Sequence, residues 1–126
     1  MKSAPDPKPQ DIRERAFDFA VDVVKFCRNN EARISSSRIL SRQLLRAATS
    51  IGANVEEAQA AASKPDFINK NAIALKEARE THYWLRLLAA TELPTDRQLA
   101  DLTDEALQLK RILGAIFVSA KKNQPL

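Results

Sequence analysis

Residues 46–62, RAATSIGANVEEAQAAA, decide the fold. Nearly every residue in this stretch favours or tolerates helix, yet Gly52 and Asn54 stand in its middle. A mid-helix glycine costs roughly 1 kcal/mol against alanine, and asparagine somewhat less. The chain has only two glycines, so one placed here calls for a packing reason. Ala48 and Gly52 are one turn apart and both small, which lets a neighbouring helix approach closely at that level. Asn54 falls beside the same seam and is expected to hydrogen-bond across it, fixing register at some cost in stability. Glu57 and Arg46 lie near the same face. Together with an acid from the next helix, Glu77 or Glu80, they are expected to form a structural polar cluster of Arg46, Asn54, Glu57 and Glu77.

Outward from this helix the prolines punctuate. Pro5, Pro7 and Pro9 mark residues 1–10 as a flexible N-terminal arm, and Pro65 and Pro94 fall between long periodic segments. The first helix is expected over residues 11–29, where Ile12, Ala16, Phe19, Val23 and Phe26 make a heptad-like seam. Phe17, Ala20, Val24 and Cys27 widen that stripe. Asn and Ser then break the pattern, with helix-capping potential at Ser35–Ser37. The second helix is expected over about 37–62, with Leu40, Leu44, Ala47, Ile51 and Ala58 on one face. Ser63 can cap the third, with Pro65 tolerated in its first turn. Its inward residues are Ile68, Ala72, Leu75, Ala78, Leu85 and Ala89. Thr95 and Gln98 form a capping box for a fourth helix, which carries Leu99, Leu102, Ala106, Leu109, Leu113 and Ile116 before a flexible tail at 123–126. Nothing reads as a strand. The expected fold is all-α, an antiparallel up-down-up-down four-helix bundle over residues 11–122, with helices about 30–38 Å long.

Composition agrees with one globular domain. Of 126 residues, 44% are hydrophobic and 29% charged, and no apolar run approaches the roughly 20 residues that span a bilayer. The N-terminus has no apolar segment of a signal peptide, and the lone Cys27 cannot form an internal disulfide. A cytoplasmic protein with no membrane partner is the expectation. Cys27 reads as a small buried hydrophobe.

The motifs LLRAATSIGANVEEA (44–58) and FINKNAIALKEARETHYWLRLL (67–88) resemble the bacterial four-helix bundle protein family, whose founding members are encoded in intervening sequences of large-subunit ribosomal RNA genes. The first family pattern falls on Leu45, Arg46, Ala48, Ser50, Ile51, Asn54, Val55 and Glu57. The second falls on Ala74, Leu75, Glu77, Ala78, Glu80, Tyr83, Trp84 and Leu85. The resemblance covers residues 11–120 and is strongest over 40–90. Two positions depart from it: Ala58 stands where many members have glycine, and Gly52 where members often have proline. This turn therefore varies and is no catalytic position. The resemblance implies a ring-shaped homopentamer. A related branch, the accessory variability protein of diversity-generating retroelements, binds nucleic acid and partners a reverse transcriptase.

The residues offer no catalytic constellation. There is one histidine, His82, far in sequence from the one cysteine, and no metal-ligand spacing or glycine-rich phosphate loop. His82 reads as a helix-face residue near a charge. Glu56 and Glu57 are neighbours on a helix and diverge by about 100°, which argues against a carboxylate dyad. No enzyme, cofactor or metal site is expected.

What stands out is charge. The net charge is +4, and between Ala32 and Val55 there are arginines at 33, 38, 42 and 46 with no acidic residue. Arg38, Arg42 and Arg46 recur every four residues along the second helix. Arg79, His82 and Arg86 line the third, with Lys70 and Lys76 nearby. Arginine's planar fork suits phosphate, so Arg38, Arg42, Arg79, Arg86, Lys70 and Lys76 are the candidate contacts to RNA or DNA. The competing reading is a structural or adaptor oligomer that binds a protein partner and no nucleic acid. Phe17, Tyr83 and Trp84 are the expected subunit contacts, since aromatics are enriched in interface cores.

Overall fold

The computed structural model describes residues 11–34 and 38–123. The expected arm at 1–10, the capping serines at 35–37 and the tail beyond residue 123 lie outside the described residues. Four helices follow one another: α1 (Ile12–Asn29), α2 (Arg38–Gln59), α3 (Lys64–Thr91) and α4 (Arg97–Lys122). No strand occurs among the described residues.

Each helix packs on its neighbours in sequence, and α4 closes the ring against α1. The diagonal pairs α1–α3 and α2–α4 make no close backbone approach. Direction follows from who meets whom. Arg15 near the start of α1 reaches Glu105 of α4, while Arg33 just beyond the end of α1 reaches Asp96 at the start of α4. On the opposite edge Leu75 of α3 lies against Gly114 of α4, and Arg86, further along α3, lines one groove with Ala100 and Thr103. Both pairs run antiparallel.

The core follows the expected seams. Ala16, Phe19, Val23 and Phe26 of α1, Leu44, Ala47, Ile51 and Ala58 of α2, Ile68, Leu75, Ala78 and Leu85 of α3, and Leu99, Leu102, Ala106, Leu109 and Leu113 of α4 are all buried. Ile12, Leu40, Ala72, Ala89 and Ile116, at the edges of the seams, are half-buried. The broad stripe expected on α1 divides. Cys27 is buried, whereas Phe17 is 64% exposed and Val24 is exposed as well. Both stand at the outer margin of the α1–α2 contact, Val24 beside Arg38 and Arg42 and Phe17 beside Glu56, and a four-helix core has no fifth wall to cover them. Trp84 packs against the core from the margin of α3, with its indole N–H buried and unpartnered. Such an orphan donor costs about 1–3 kcal/mol.

Caps settle the helix ends. Asp11 opens α1 through its side chain on the Arg13 amide, and Ser63 opens α3 by accepting from the Asp66 amide at 3.2 Å, as its position predicts. α2 stops at Gln59, three residues before the expected end. Its last turn tightens, with the Ala61 amide reaching the Ala58 carbonyl, and this frees Ser63 to cap α3. The cap of α4 is Asp96 and not Thr95. Its Oδ1 accepts from the Leu99 amide at 2.8 Å while Oδ2 accepts from Arg33 at 2.9 Å, so one carboxylate serves both the helix and the loop after α1.

Gly52 sits against Ala16 of α1. A methyl built there would lie 3.6 Å from the Ala16 carbonyl oxygen and 3.9 Å from its Cβ, ordinary contact distances. The helices do approach closely, as the small residues require, but with room for one carbon. Gly52→Ala is therefore expected to stabilise the protein by up to about 1 kcal/mol through helix propensity, and Gly52→Leu to destabilise it through overpacking, both read by urea denaturation.

The Leu99 amide, then Arg33, holds the Asp96 carboxyl below its usual range. A depressed carboxyl pKa contributes stability that is present above the unfolded value near 3.9 and lost as pH falls through the folded value. Asp96→Ala should cost about 1 kcal/mol at pH 7. Denaturation midpoints of variant and wild type should converge once the pH is below the folded value as well as the unfolded one.

Candidate nucleic-acid surfaces and the polar cluster

The cluster around Arg46 forms, with altered membership. Arg46 Nη1 donates to Glu77 Oε2 at 3.1 Å, and Nη2 donates to Glu80 Oε2. Glu77 is buried and Arg46 half-exposed, so the guanidinium caps a carboxylate that points into the bundle. Hydrogen bonding to Glu80, with the charges of both acids, raises the Arg46 pKa further. Asn54 does not cross the seam. Its Nδ2 donates to the Ser50 carbonyl at 2.9 Å and to Ser50 Oγ at 3.2 Å, one turn back on its own helix. Glu57 is exposed, and among the described residues no ion pair reaches it. Eleven residues further along α2, Glu57 lies about 16 Å from Arg46 along the helix axis and out of its reach, whereas α3 presents two carboxylates directly across the seam.

The expected phosphate contacts divide between opposite sides of the molecule. Arg38 and Arg42 border a groove of about 370 Å³ between α1 and α2, lined also by Val24, Cys27, Arg28 and Leu45. Arg86 borders a groove of about 760 Å³ between α3 and α4, with Tyr83, Leu87, Ala90 and Ala100. In the ring order of the helices these grooves lie on opposite faces, so the cations do not make one surface. Nor is the arginine stripe of α2 straight. Every fourth residue advances about 40° round a helix, and over eight residues Arg46 swings from the α1 side to the α3 side.

Arg38, Arg42, Lys76, Arg79 and Arg86 are exposed. Lys70 is half-buried, and its nine-residue offset from Arg79 places it on the other side of α3. Two cations outside the expected set join these surfaces: Arg28 of α1 lines the α1–α2 groove, and Lys110 of α4 lies near His82. Partial burial, then the charges of Lys110 and Arg86, hold His82 below its usual pKa. His82 thus packs near charge, as expected. Neither added cation shares a helix spacing with the stripes, so only assembly of the fold brings it in.

Burial pushes the Cys27 thiol pKa up, which makes it a poor nucleophile. Among the described residues no group of three or more His, Cys, Asp or Glu side chains could hold a metal ion, and no helix is long and apolar enough to cross a membrane. Of the expected subunit contacts, Phe17 and Tyr83 are exposed while Trp84 packs within its own bundle.

With the fold and these surfaces in hand, comparison places the chain among known proteins. The family model of the 23S rRNA-intervening sequence protein matches residues 8–115. The chain belongs to that family. It is also similar to a crystal structure from Bacteroides thetaiotaomicron, described as a protein of unknown function from the S23 ribosomal protein family. The two share 38% identity over 85% of this chain and 98% of the other, with a TM-score of 0.75. No curated protein matches the chain.

The cluster makes an asymmetric prediction. Arg46→Ala leaves the buried Glu77 carboxylate without its cation and should cost about 3 kcal/mol. Glu77→Gln leaves Arg46 exposed and still paired with Glu80, so it should cost less. Glu57→Ala should fall within about 0.5 kcal/mol of wild type. Thermal melts of the three variants check the order.

Proposed function

We propose that this protein is a non-enzymatic, homo-oligomeric scaffold that binds RNA or DNA through basic helix faces. The observation that carries the reading is the division of labour among its cations. Arg15, Arg33 and Arg46 are paired with carboxylates on other elements. Arg38, Arg42, Arg79, Arg86 and Lys76 are exposed, and among the described residues none is in an ion pair. Arginines that hold the fold are satisfied, while those on the grooves present free donors that suit phosphate oxygens. The descriptions of the family and of the similar structure, both of which name ribosomal RNA or ribosomal protein, also support a nucleic-acid partner.

Assembly is the second half of the proposal. Phe17, Ala20, Val21 and Val24 form an apolar strip on the outer side of α1, and a second copy of the chain is the occupant we assign to it. Among the described residues, other exposed apolar side chains, Ile39 of α2 and Val118 of α4, belong to other faces. Unlike surfaces joined head to tail form a ring when the rotation between copies closes, and five is the stoichiometry implied by the family resemblance. A ring repeats each basic groove in every subunit, so weak phosphate contacts add through avidity. We place this assembly in the cytoplasm.

Binding of a mixed-sequence oligonucleotide should weaken steeply as salt rises, because each phosphate neutralised releases counterions. The double variant Arg38→Glu, Arg42→Glu should bind more weakly with a flatter salt dependence and keep its oligomeric mass. Light scattering on wild type should give five times the 14.1 kDa of the chain, and Phe17→Glu should lower that mass. A wild type that binds no nucleic acid at low salt overturns this reading in favour of a protein-binding adaptor.

A further inference from the structure

The outer side of α3 carries an arrangement that a purely electrostatic reading leaves unused. Tyr83 is 52% exposed, although an aromatic ring gains most from burial. Its ring meets Trp84 edge to face, with centroids 5.1 Å apart and planes at 75°. Trp84 is packed against the core, so the tyrosine is braced by a fixed indole and otherwise open. Arg79 stands four residues before it and Arg86 three after, spacings that place all three on one side of the helix.

The groove of about 760 Å³ runs beside this ring and is lined by small and apolar side chains, among them Ala89, Ala90, Pro94 and Ala100. Arg86 lines this groove directly, and Arg79 lies on the same side of α3 as Tyr83. The exposed acids of α4, Asp101 and Asp104, do not line the groove. The α1–α2 groove differs. It has three arginines but no aromatic side chain in its lining.

An open ring beside a shallow apolar trough, with cations along the rim, is complementary to one chemical object: a flat group with apolar faces, tethered to a negatively charged backbone. Bases in a duplex keep their faces stacked on each other and cannot reach a side chain this way, whereas unpaired bases can. We propose that the α3–α4 face binds unpaired nucleotides of a single strand. One base stacks on Tyr83 against the groove, and flanking phosphates are held by Arg79 and Arg86. The proposal rests on the nucleic-acid reading above and deepens it by naming the strand state recognised and the side chain that recognises it.

The test uses full-length protein at low salt, with oligouridine and an RNA duplex of equal length as probes, followed by fluorescence anisotropy. Wild type should prefer the single strand. Tyr83→Ala should weaken single-strand binding on the order of tenfold and leave duplex binding unchanged, while Tyr83→Phe, which keeps the ring, should bind as wild type does. Arg86→Gln should flatten the salt dependence by about one phosphate contact. Light scattering and thermal melts of Tyr83→Ala should match wild type, and photo-cross-linking of 4-thiouridine oligomers to unmodified protein should label the peptide containing Tyr83. Equal affinity for strand and duplex overturns the proposal and leaves the broader reading standing, as does Tyr83→Ala binding like Tyr83→Phe. A Tyr83→Ala variant that dissociates into subunits assigns the ring to a subunit contact, and a wild type that binds neither probe overturns both readings.

Discussion

Small side chains at the helix crossings set the dimensions on which everything else in this bundle depends. Ala16, Ala47, Ala48, Ala74, Ala78 and Ala106 are wholly buried, and Gly52 lies within van der Waals reach of Ala16 across the α1–α2 contact. Crossings lined with alanine bring helix axes together at the short end of the usual 8–10 Å range. Larger residues such as Phe19, Phe26, Leu109 and Leu113 then fill the centre. The close spacing has an electrostatic corollary. It brings α3 near enough for Arg46 to span from α2 to two carboxylates, a bridge that wider packing would stretch beyond hydrogen-bonding distance.

The same geometry decides which side chains are left for function. Four helices in a ring bury one stripe each, and any apolar residue more than about a quarter turn from that stripe faces outward. Phe17, Val24 and Tyr83 are such residues. Cations sort likewise. Those at helix ends or over the seams meet acids from other elements, as Arg15 does in its two-pronged contact with Glu105 at 2.7 Å. Among the described residues, those on the outer grooves are in no ion pair. The polar groups left for contact therefore lie on the surface, with arginine guanidinium groups on both grooves.

Much of this was legible in the sequence, and the failures share a cause. The four helices follow from apolar spacing, and the α3 start from Ser63, because those signals are local. Within the polar cluster Arg46 and an acid of α3 were legible as partners, whereas Glu57 was wrongly included, since it lies about three helical turns from Arg46 along α2. Asn54 misled for the complementary reason: a carbonyl one turn back on its own helix was always within reach, and nothing across the seam competed. The basic stripes looked like one surface because a sequence shows spacing along a helix but not the slow rotation that carries Arg38 and Arg46 to different neighbours. Lys110 and Arg28 could not be found at all before the fold set them beside their partners.

The ring of helices closes through its thinnest seam. α1 and α4 touch more lightly than any other neighbouring pair, and the seam is fastened by Arg15 to Glu105 and Arg33 to Asp96, partners 90 and 63 residues apart in sequence. By contrast α2 and α3 share the most extensive contact and are joined by a short turn. Loop-closure entropy rises with the length of chain enclosed, and folding is quickest where contacts are local. The α2–α3 hairpin therefore has the lower kinetic barrier to formation, and the closure of α1 on α4 comes at the end of the folding path. In the native protein the order reverses: the edge fastened by partly exposed charges has the smallest free energy of opening, and α1 is the helix whose detachment disturbs the remaining three least.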